Sequence, residues 1–310
     1  MKYIYGIDIG GTTVKIGLLD IQGNFVDKWE IPTDKSDEGK NILRDIANSI
    51  IRYNKQNNIS DNDIKGYGFG IPGPVVNNFV VKCVNLGWKN LNIVTEFSKY
   101  MGNVVIEANN DANVAAAGEM WKGGGIGRKN VCMFTLGTGV GGGIIVDSKI
   151  VEGANGAGGE LGHFKVVFEG GNKCGCGRTG CLETVASATG IVREARRLFE
   201  TNTLKTSLIN NETLSAKIIF DHAKQGDEFA LKLVDQLGYY LGYASAMVAN
   251  TVNPEVFIIG GGVSKAGKIL IDVIKKHFKE FCFPGLEDTS FELASLSNDA
   301  GMIGAAYLVK

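Results

Sequence analysis

Four side chains between His163 and Cys181 carry the most specific chemistry in this chain: one imidazole and the thiols of Cys174, Cys176 and Cys181. One ring nitrogen and three soft sulfurs form a complete tetrahedral set for zinc, with no position left for water. A closed site of that kind holds loops together and does not activate a nucleophile. The glycines at 175, 177 and 180 let the backbone turn tightly enough to aim three sulfurs inward. A disulfide or a set of inert buried thiols are the alternatives, although Cys174 and Cys176 are too close in sequence to pair easily. A zinc ribbon that binds nucleic acid would show two ligand pairs in a basic surround, and this segment has neither. Two carboxylates, Glu160 and Glu183, bracket it.

A second chemistry lies in two glycine-rich stretches. Asp8-Ile9-Gly10-Gly11-Thr12-Thr13, followed by Lys15, sets a carboxylate at a strand end ahead of bare backbone, two hydroxyls and a cation. Backbone N–H groups left open by glycine cradle phosphate oxygens, and Asp8 is placed to hold Mg2+ through water. Leu136 to Gly143, LGTGVGGG, brings the same equipment again, with Gly137, Thr138 and Gly139 at its turn. Neither is a Walker A loop, which ends in Gly-Lys-Ser/Thr, and neither precedes a helix as a dinucleotide fingerprint must. One such hairpin alone is usually a plain tight turn; two in a duplicated fold point to phosphate. Asp111, after Asn109-Asn110, is the candidate base, though read alone it is a plain helix cap.

Alternating strands and helices must position these groups. The stretch YIYGIDIGGTTVKIGLLDIQGNFVDKWEIP reads as three strands joined by glycine turns, and Asp37–Asn54 as an amphipathic helix with Ile42, Ile46 and Ile50 on one face. A strand at Gly66–Gly70 runs into Pro72-Gly73-Pro74, which forbids regular structure. A helix near Ile93–Tyr100 and a strand at Val104–Ala108 follow; Asn109-Asn110-Asp111 stops that strand and caps a helix from Ala112 to Trp121. Lys122–Gly127, with its clustered glycines, reads as a hinge or domain boundary. Beyond it, FTLGTGVGGGIIVD echoes GIDIGGTTVKIGLLD, and FIIGGGVS partly echoes YGFGIPGPV, in the same order. Two halves on one plan fit a duplicated α/β domain with a cleft between them. Helices at Ala188–Phe199, Leu214–Lys224, Glu228 to about Asn250, Ile269–Phe281 and Ala300–Leu308, with a strand at Val256–Gly260, complete the reading.

Length and composition agree. A chain of 310 residues is long enough for two domains, and 44% apolar with 21% charged residues is ordinary for a globular protein. A net charge of -1 removes the usual electrostatic basis for nucleic-acid binding. Met1 leads straight into a strand, without a basic n-region or a cleavable apolar stretch, and no apolar run approaches a membrane span. Free thiols suit a reducing compartment, so the expected location is the cytoplasm.

DIGGTTVK, GIPGP, NNDANVAAAGE, LGTGVGGG, GGELGH, CGCGRTGCLE, IIGGGVS and DAGMIGAA together resemble the ROK family of sugar kinases and repressors, in family order and over essentially the whole chain. The stretches Asn110–Glu119 and Gly158–Thr189 are most similar to its bacterial ATP-dependent glucokinase branch. The resemblance implies a duplicated actin-like ATPase fold, ribonuclease H-like and hexokinase-type, with two lobes around a cleft. The lobes would be 1–120, with 299–310 packing back on it, and 121–298 carrying the zinc segment. It implies ATP with Mg2+, structural zinc, and a homodimer.

Carried over by position, Asp111 matches the catalytic base and Asn110 its partner in binding sugar hydroxyls. Glu160, His163 and Glu183 match the other sugar contacts, with Gly73 on the opposite wall. His163, Cys174, Cys176 and Cys181 match the zinc ligands. Asp8, Gly10, Gly11, Thr12, Thr13, Lys15, Gly137, Thr138, Gly139, Gly261 and Gly262 fall in the nucleotide site. His163 would meet zinc with one ring nitrogen and the sugar with the other, while the two hairpins, elsewhere in the sequence, would bind ATP independently of the metal. The expected reaction is phosphorylation of glucose at its 6-hydroxyl. The rivals are a kinase for fructose, mannose or an N-acetylated hexosamine, and a sugar-responsive repressor. The family's repressors carry a helix-turn-helix ahead of the first hairpin, whereas this chain opens on that hairpin, which makes the repressor the weaker expectation.

Overall fold

Apolar alternation over the first stretch produces β1 (Tyr3–Ile9), β2 (Thr13–Asp20) and β3 (Phe25–Pro32), antiparallel neighbours in the computed structural model, which describes residues 1–310. Next, α1 (Ile42–Gln56) buries Ile42, Leu43, Ile46, Ala47 and Ile50 along one face. It starts later than the spacing from Asp37 predicts, because Asp37 and Glu38 take positive φ values of 51° and 58° in a 3-10 turn. β4 (Ile64–Ile71) runs parallel to β1. After the proline loop, β5 (Val75–Val76), β6 (Phe79–Cys83) and β7 (Trp88–Asn92) form a separate small sheet that sequence alone left irregular. Strands this short show too little alternation to be read. Then come α2 (Ile93–Met101) and β8 (Ile106–Asn110). β8 continues through Asn109 and Asn110, past the expected stop, because both still pair with β4, opposite Gly70 and Ile71. α3 (Asp111–Lys122) follows directly.

The second half opens with β9 (Val131–Leu136), β10 (Val140–Val146) and β11 (Lys149–Ile150). It continues with α4 (Glu183–Ala186), α5 (Ala188–Phe199), α6 (Ala216–Lys224) and α7 (Glu228–Val252). β12 (Val256–Gly260), α8 (Lys268–Phe281), β13 (Ser290–Leu293) and α9 (Ala300–Tyr307) end the chain. The two large sheets have the orders β3-β2-β1-β4-β8 and β11-β10-β9-β12-β13. In each, the hairpin strands are antiparallel and the last two strands add in parallel. The same order and the same directions in both halves are the duplication expected from the two sequence echoes. This is the actin-like ATPase fold.

Each sheet has its own apolar core: α1 and α2 cover the first, and α5 to α8 the second. Between the sheets lie α3 and α9, whose alanines and glycines let the helix backbones approach closely. α9 packs on β1 and β4, and α3 packs on α9 and β10. No helix is long and apolar enough to cross a membrane.

Candidate active site

β8 and α3 meet at Asn110, whose backbone is extended (φ -61°, ψ 144°) while its side chain caps the helix. Its Oδ1 accepts from the N–H groups of Ala112 (2.9 Å) and Asn113 (3.2 Å), and its Nδ2 donates to the Gly73 carbonyl at 3.1 Å. Asn110 therefore uses its oxygen on the cap and ties the Gly73 loop to the helix start. One amide hydrogen is left for a ligand. Asp111 opens the helix, its Oδ1 accepting from the Ala112 N–H at 2.8 Å. Burial pushes its pKa up to about 6; the Ala112 bond opposes the rise, while the charges of Asp8 and Glu160 add to it. Such a carboxylate is ionised at neutral pH yet holds a proton better than an exposed one, as a general base should.

Asp111 shares a cleft of about 760 Å3 with Asp8, Lys15, Thr135, Gly262 and Lys265, so residues of both large sheets and their loops line it. Asp8 lies opposite Lys15, with Nζ 3.9 Å from Oδ2; burial raises the Asp8 pKa and the Lys15 charge holds it back. Gly10, Gly11 and Thr12 make the turn into β2, closed by the Gly10 N–H on the Thr13 carbonyl at 3.0 Å. The equivalent turn, Gly137-Thr138-Gly139, is closed by the Gly137 N–H on the Gly139 carbonyl at 2.9 Å.

Two glycines here lie close against neighbouring groups, and the second of them is required by its backbone. A Cβ on Gly139 would lie 2.2 Å from Glu183 Oε2. Gly261 has φ +81°, and its Cβ would lie 2.5 Å from the Leu136 carbonyl oxygen. The loop after β12 is thus pressed against the second hairpin. Beyond Gly262 is a smaller cavity of about 310 Å3 with Ala188, Phe220, Val263 and Ala266 as apolar walls.

The imidazole and thiols come together as the spacing predicts. Their four ligand atoms lie within 4.8 Å of one another. Cys176 Sγ is 3.7 Å from Cys181 Sγ, and Cys174 Sγ is 3.6 Å from His163 Nδ1. A zinc tetrahedron with arms of about 2.3 Å has edges of about 3.8 Å, so donor set and spacing both fit. Nδ1 faces the sulfurs, and Nε2 lies 3.7 Å from Glu160 Oε2.

Glu183 departs from expectation. Its Oε1 lies 3.5 Å from Cys174 Sγ, while its Oε2 accepts from the Val140 N–H at 3.1 Å. A hydrogen bond thus joins the metal segment to the second hairpin, a contact that their separation in sequence does not predict. Thr135, Ser264, Lys265 and Glu119 also line the cleft and are not among the residues expected there from the sequence. Ser264 and Lys265 follow the 260–262 glycine run, and a hydroxyl and cation after bare backbone was the available signal. Asn109 donates to Glu152 Oε1 at 2.6 Å, and nothing local marks that pair.

A glucokinase from Halalkalibacterium halodurans is 46% identical to this chain, over 100% of it and 95% of the relative. A glucokinase from Thermotoga maritima is 36% identical, over 99% and 97%. The crystal structure of a ROK family glucokinase from Streptomyces griseus in complex with glucose and AMPPNP is similar at a TM-score of 0.73 and 31% identity, covering 99% of this chain and 98% of that one. The ROK family profile matches residues 4–310, and with the duplicated sheets and the shared cleft already described, this chain belongs to the ROK family.

Proposed function

We propose that the protein is an ATP-dependent glucokinase that moves the γ-phosphoryl group of ATP to the 6-hydroxyl of glucose. The observation that carries the reading is Asp111, a carboxylate with a raised pKa that lines one cleft with Asp8, Lys15 and the loop after β12. Phosphoryl transfer needs alignment and charge neutralisation more than covalent chemistry. Asp111 accepts the proton of the 6-hydroxyl as that oxygen attacks phosphorus. Asn110, Gly73, Glu160, His163 and Glu183 hold the other sugar hydroxyls. With Nδ1 given to the metal, His163 carries its proton on Nε2 and donates from there.

Gly10, Gly11, Thr12, Thr13, Lys15, Gly137, Thr138, Gly139, Gly261 and Gly262 receive the phosphates, and the apolar cavity beyond Gly262 takes the base. Mg2+, held through Asp8, would supply charge neutralisation at the transferring group. Zinc on His163, Cys174, Cys176 and Cys181 would supply loop order only. The lobes are 1–120 with 299–310, and 121–298, a division supported by the packing of α9 on β1 and β4. Their closure over the ligands excludes water. The same reading makes the protein a cytoplasmic homodimer, which sedimentation equilibrium checks.

ADP release, measured over glucose, fructose, mannose, N-acetylmannosamine and N-acetylglucosamine, tests the function. Glucose should give the highest kcat/KM, because polar groups arranged for one hydroxyl pattern reject others by leaving donors unpaired. A clear preference for another hexose would change the substrate and keep the class. Transfer to none of them would reject the class.

A further inference from the structure

Two covalent crossings join the halves: the segment between α3 and β9, and the segment between β13 and α9. One carboxylate serves both. Glu119, in the last turns of α3, is fully buried at 0% exposure. Its Oε2 accepts from the Gly124 N–H at 2.9 Å on the first crossing, and from the Ser295 N–H at 3.1 Å on the second. Its Oε1 accepts from the Leu296 N–H at 2.8 Å, and the Ser295 hydroxyl adds a contact to Oε2 at 3.5 Å. Three backbone N–H groups from two separate segments thus converge on one side chain. The glycine run at the first crossing is shaped around this group, since a Cβ on Gly123 would lie 2.0 Å from Oε2.

The position of Glu119 gives it reach. Asp111 begins the same helix, about two turns of rigid backbone ahead. Ser297 and Asn298, just after the second crossing's bonded residues, line the cleft with Asp8 and Asp111. The chemistry proposed above makes no direct use of Glu119.

We infer that Glu119 is a positioning residue. It clamps both crossings into a single hinge, so that lobe closure delivers the phosphoryl donor to Asp111 in one alignment. A group that merely stabilised the helix end would affect folding and leave turnover intact. The inference rests on the kinase reading, and its failure can be told apart from the failure of that reading.

The test is Glu119→Gln, studied by steady-state kinetics and by small-angle scattering with and without saturating glucose. A glutamine accepts from one set of N–H groups only, and turns its own N–H2 toward the other. The expected result is a fall in kcat of about 10- to 100-fold, since small misplacements of reacting groups are costly. KM for glucose should stay within about threefold, the pattern of an interaction made mainly in the transition state, and glucose-induced compaction should shrink. Wild-type kcat, or a loss of kcat with wild-type compaction, overturns the inference. If Glu119→Gln does not fold, Glu119→Asp decides by the same readouts: it keeps the carboxylate but is one methylene too short to reach the N–H groups of both crossings. Failure of both variants to fold would make Glu119 a stability residue and overturn it as well. Wild-type protein that phosphorylates no hexose rejects the kinase reading, while the scattering arm still reports on the hinge.

Discussion

The carboxylate of Glu183 accepts the backbone N–H of Val140 at 3.1 Å, across 43 residues of chain. Val140 opens the second strand of the second glycine hairpin, and Glu183 follows Cys181 by two positions. The cysteine segment and the hairpin are therefore two ends of one contact, and the proposed sugar contacts and the proposed nucleotide loop share a support.

Loss of the metal should therefore be felt by both ligands. Stripping zinc, or Cys176→Ser, should weaken glucose binding by about 10- to 100-fold, as supporting shells of metal sites do. A nonhydrolysable ATP analogue should also bind more weakly, by a smaller factor, because Glu183 loosens against Val140. Calorimetric titration of each ligand into metal-free, folded protein is the check. Unchanged glucose affinity would remove His163 from the sugar site. Unchanged nucleotide affinity would show that the Glu183–Val140 bond transmits nothing.

Asp111→Asn keeps size and most hydrogen bonding but removes the base. Turnover should fall by about two to four orders of magnitude, with glucose affinity nearly unchanged. Near-normal turnover would reject the assignment.

The same substitution should stabilise the protein at neutral pH. The folded pKa of Asp111, about 6, lies above its unfolded value of 3.8, so protonation favours the fold. Stability is lost as pH rises between those two values, and the full cost, up to about 3 kcal/mol, is present above the upper one. The advantage of Asp111→Asn in thermal melts should appear at pH 7 and vanish at pH 3. An equal advantage at both would place its cause elsewhere.

Activity should follow the same group. Wild-type kcat/KM should climb about tenfold per pH unit toward a bend near 6 and flatten above it, because the base works only when ionised. Whatever activity Asp111→Asn retains should lack that bend. A bend that survives in the variant belongs to another residue.

Gly261→Ala and Gly262→Ala make a matched pair. Alanine at 261 meets both a positive φ of +81° and the Leu136 carbonyl, whereas a Cβ at 262 meets nothing within 4 Å. The first should lower stability by about 1–3 kcal/mol and weaken ATP-analogue binding more than glucose binding. The second should melt like wild type. Equal melting temperatures for the two would remove the close approach of this loop to the hairpin.

Much of the fold was legible because its causes are local. Alternation over residues 3–20 and 131–146, helix periodicity in α5, α7 and α8, and two ordered echoes are patterns over neighbouring residues, and the sheets repeat them. Misreadings came where local preference was overruled. Asn109 and Asn110 look like a strand stop, but β4 supplies pairing partners that keep them extended. Asp37 and Glu38 fit a helical start and instead adopt positive φ. β13 and the small β5-β6-β7 sheet are too short for their own pattern and exist through their neighbours.

For the site, sequence by itself determined the donor types: three thiols and an imidazole at metal spacing, two bare hairpins, and a carboxylate after Asn110. Those are matters of composition and short spacing. Only the tertiary structure decided how the groups meet. It set Asp8 and Glu160 where they raise the Asp111 pKa, gave the oxygen of Asn110 to a cap, and turned Glu183 toward Val140. It also joined Glu119 to Ser295 and Leu296, 176 and 177 residues away. Contacts over such separations arise when packed cores close long loops, and a linear pattern with a period of two or 3.6 residues carries no record of that closure.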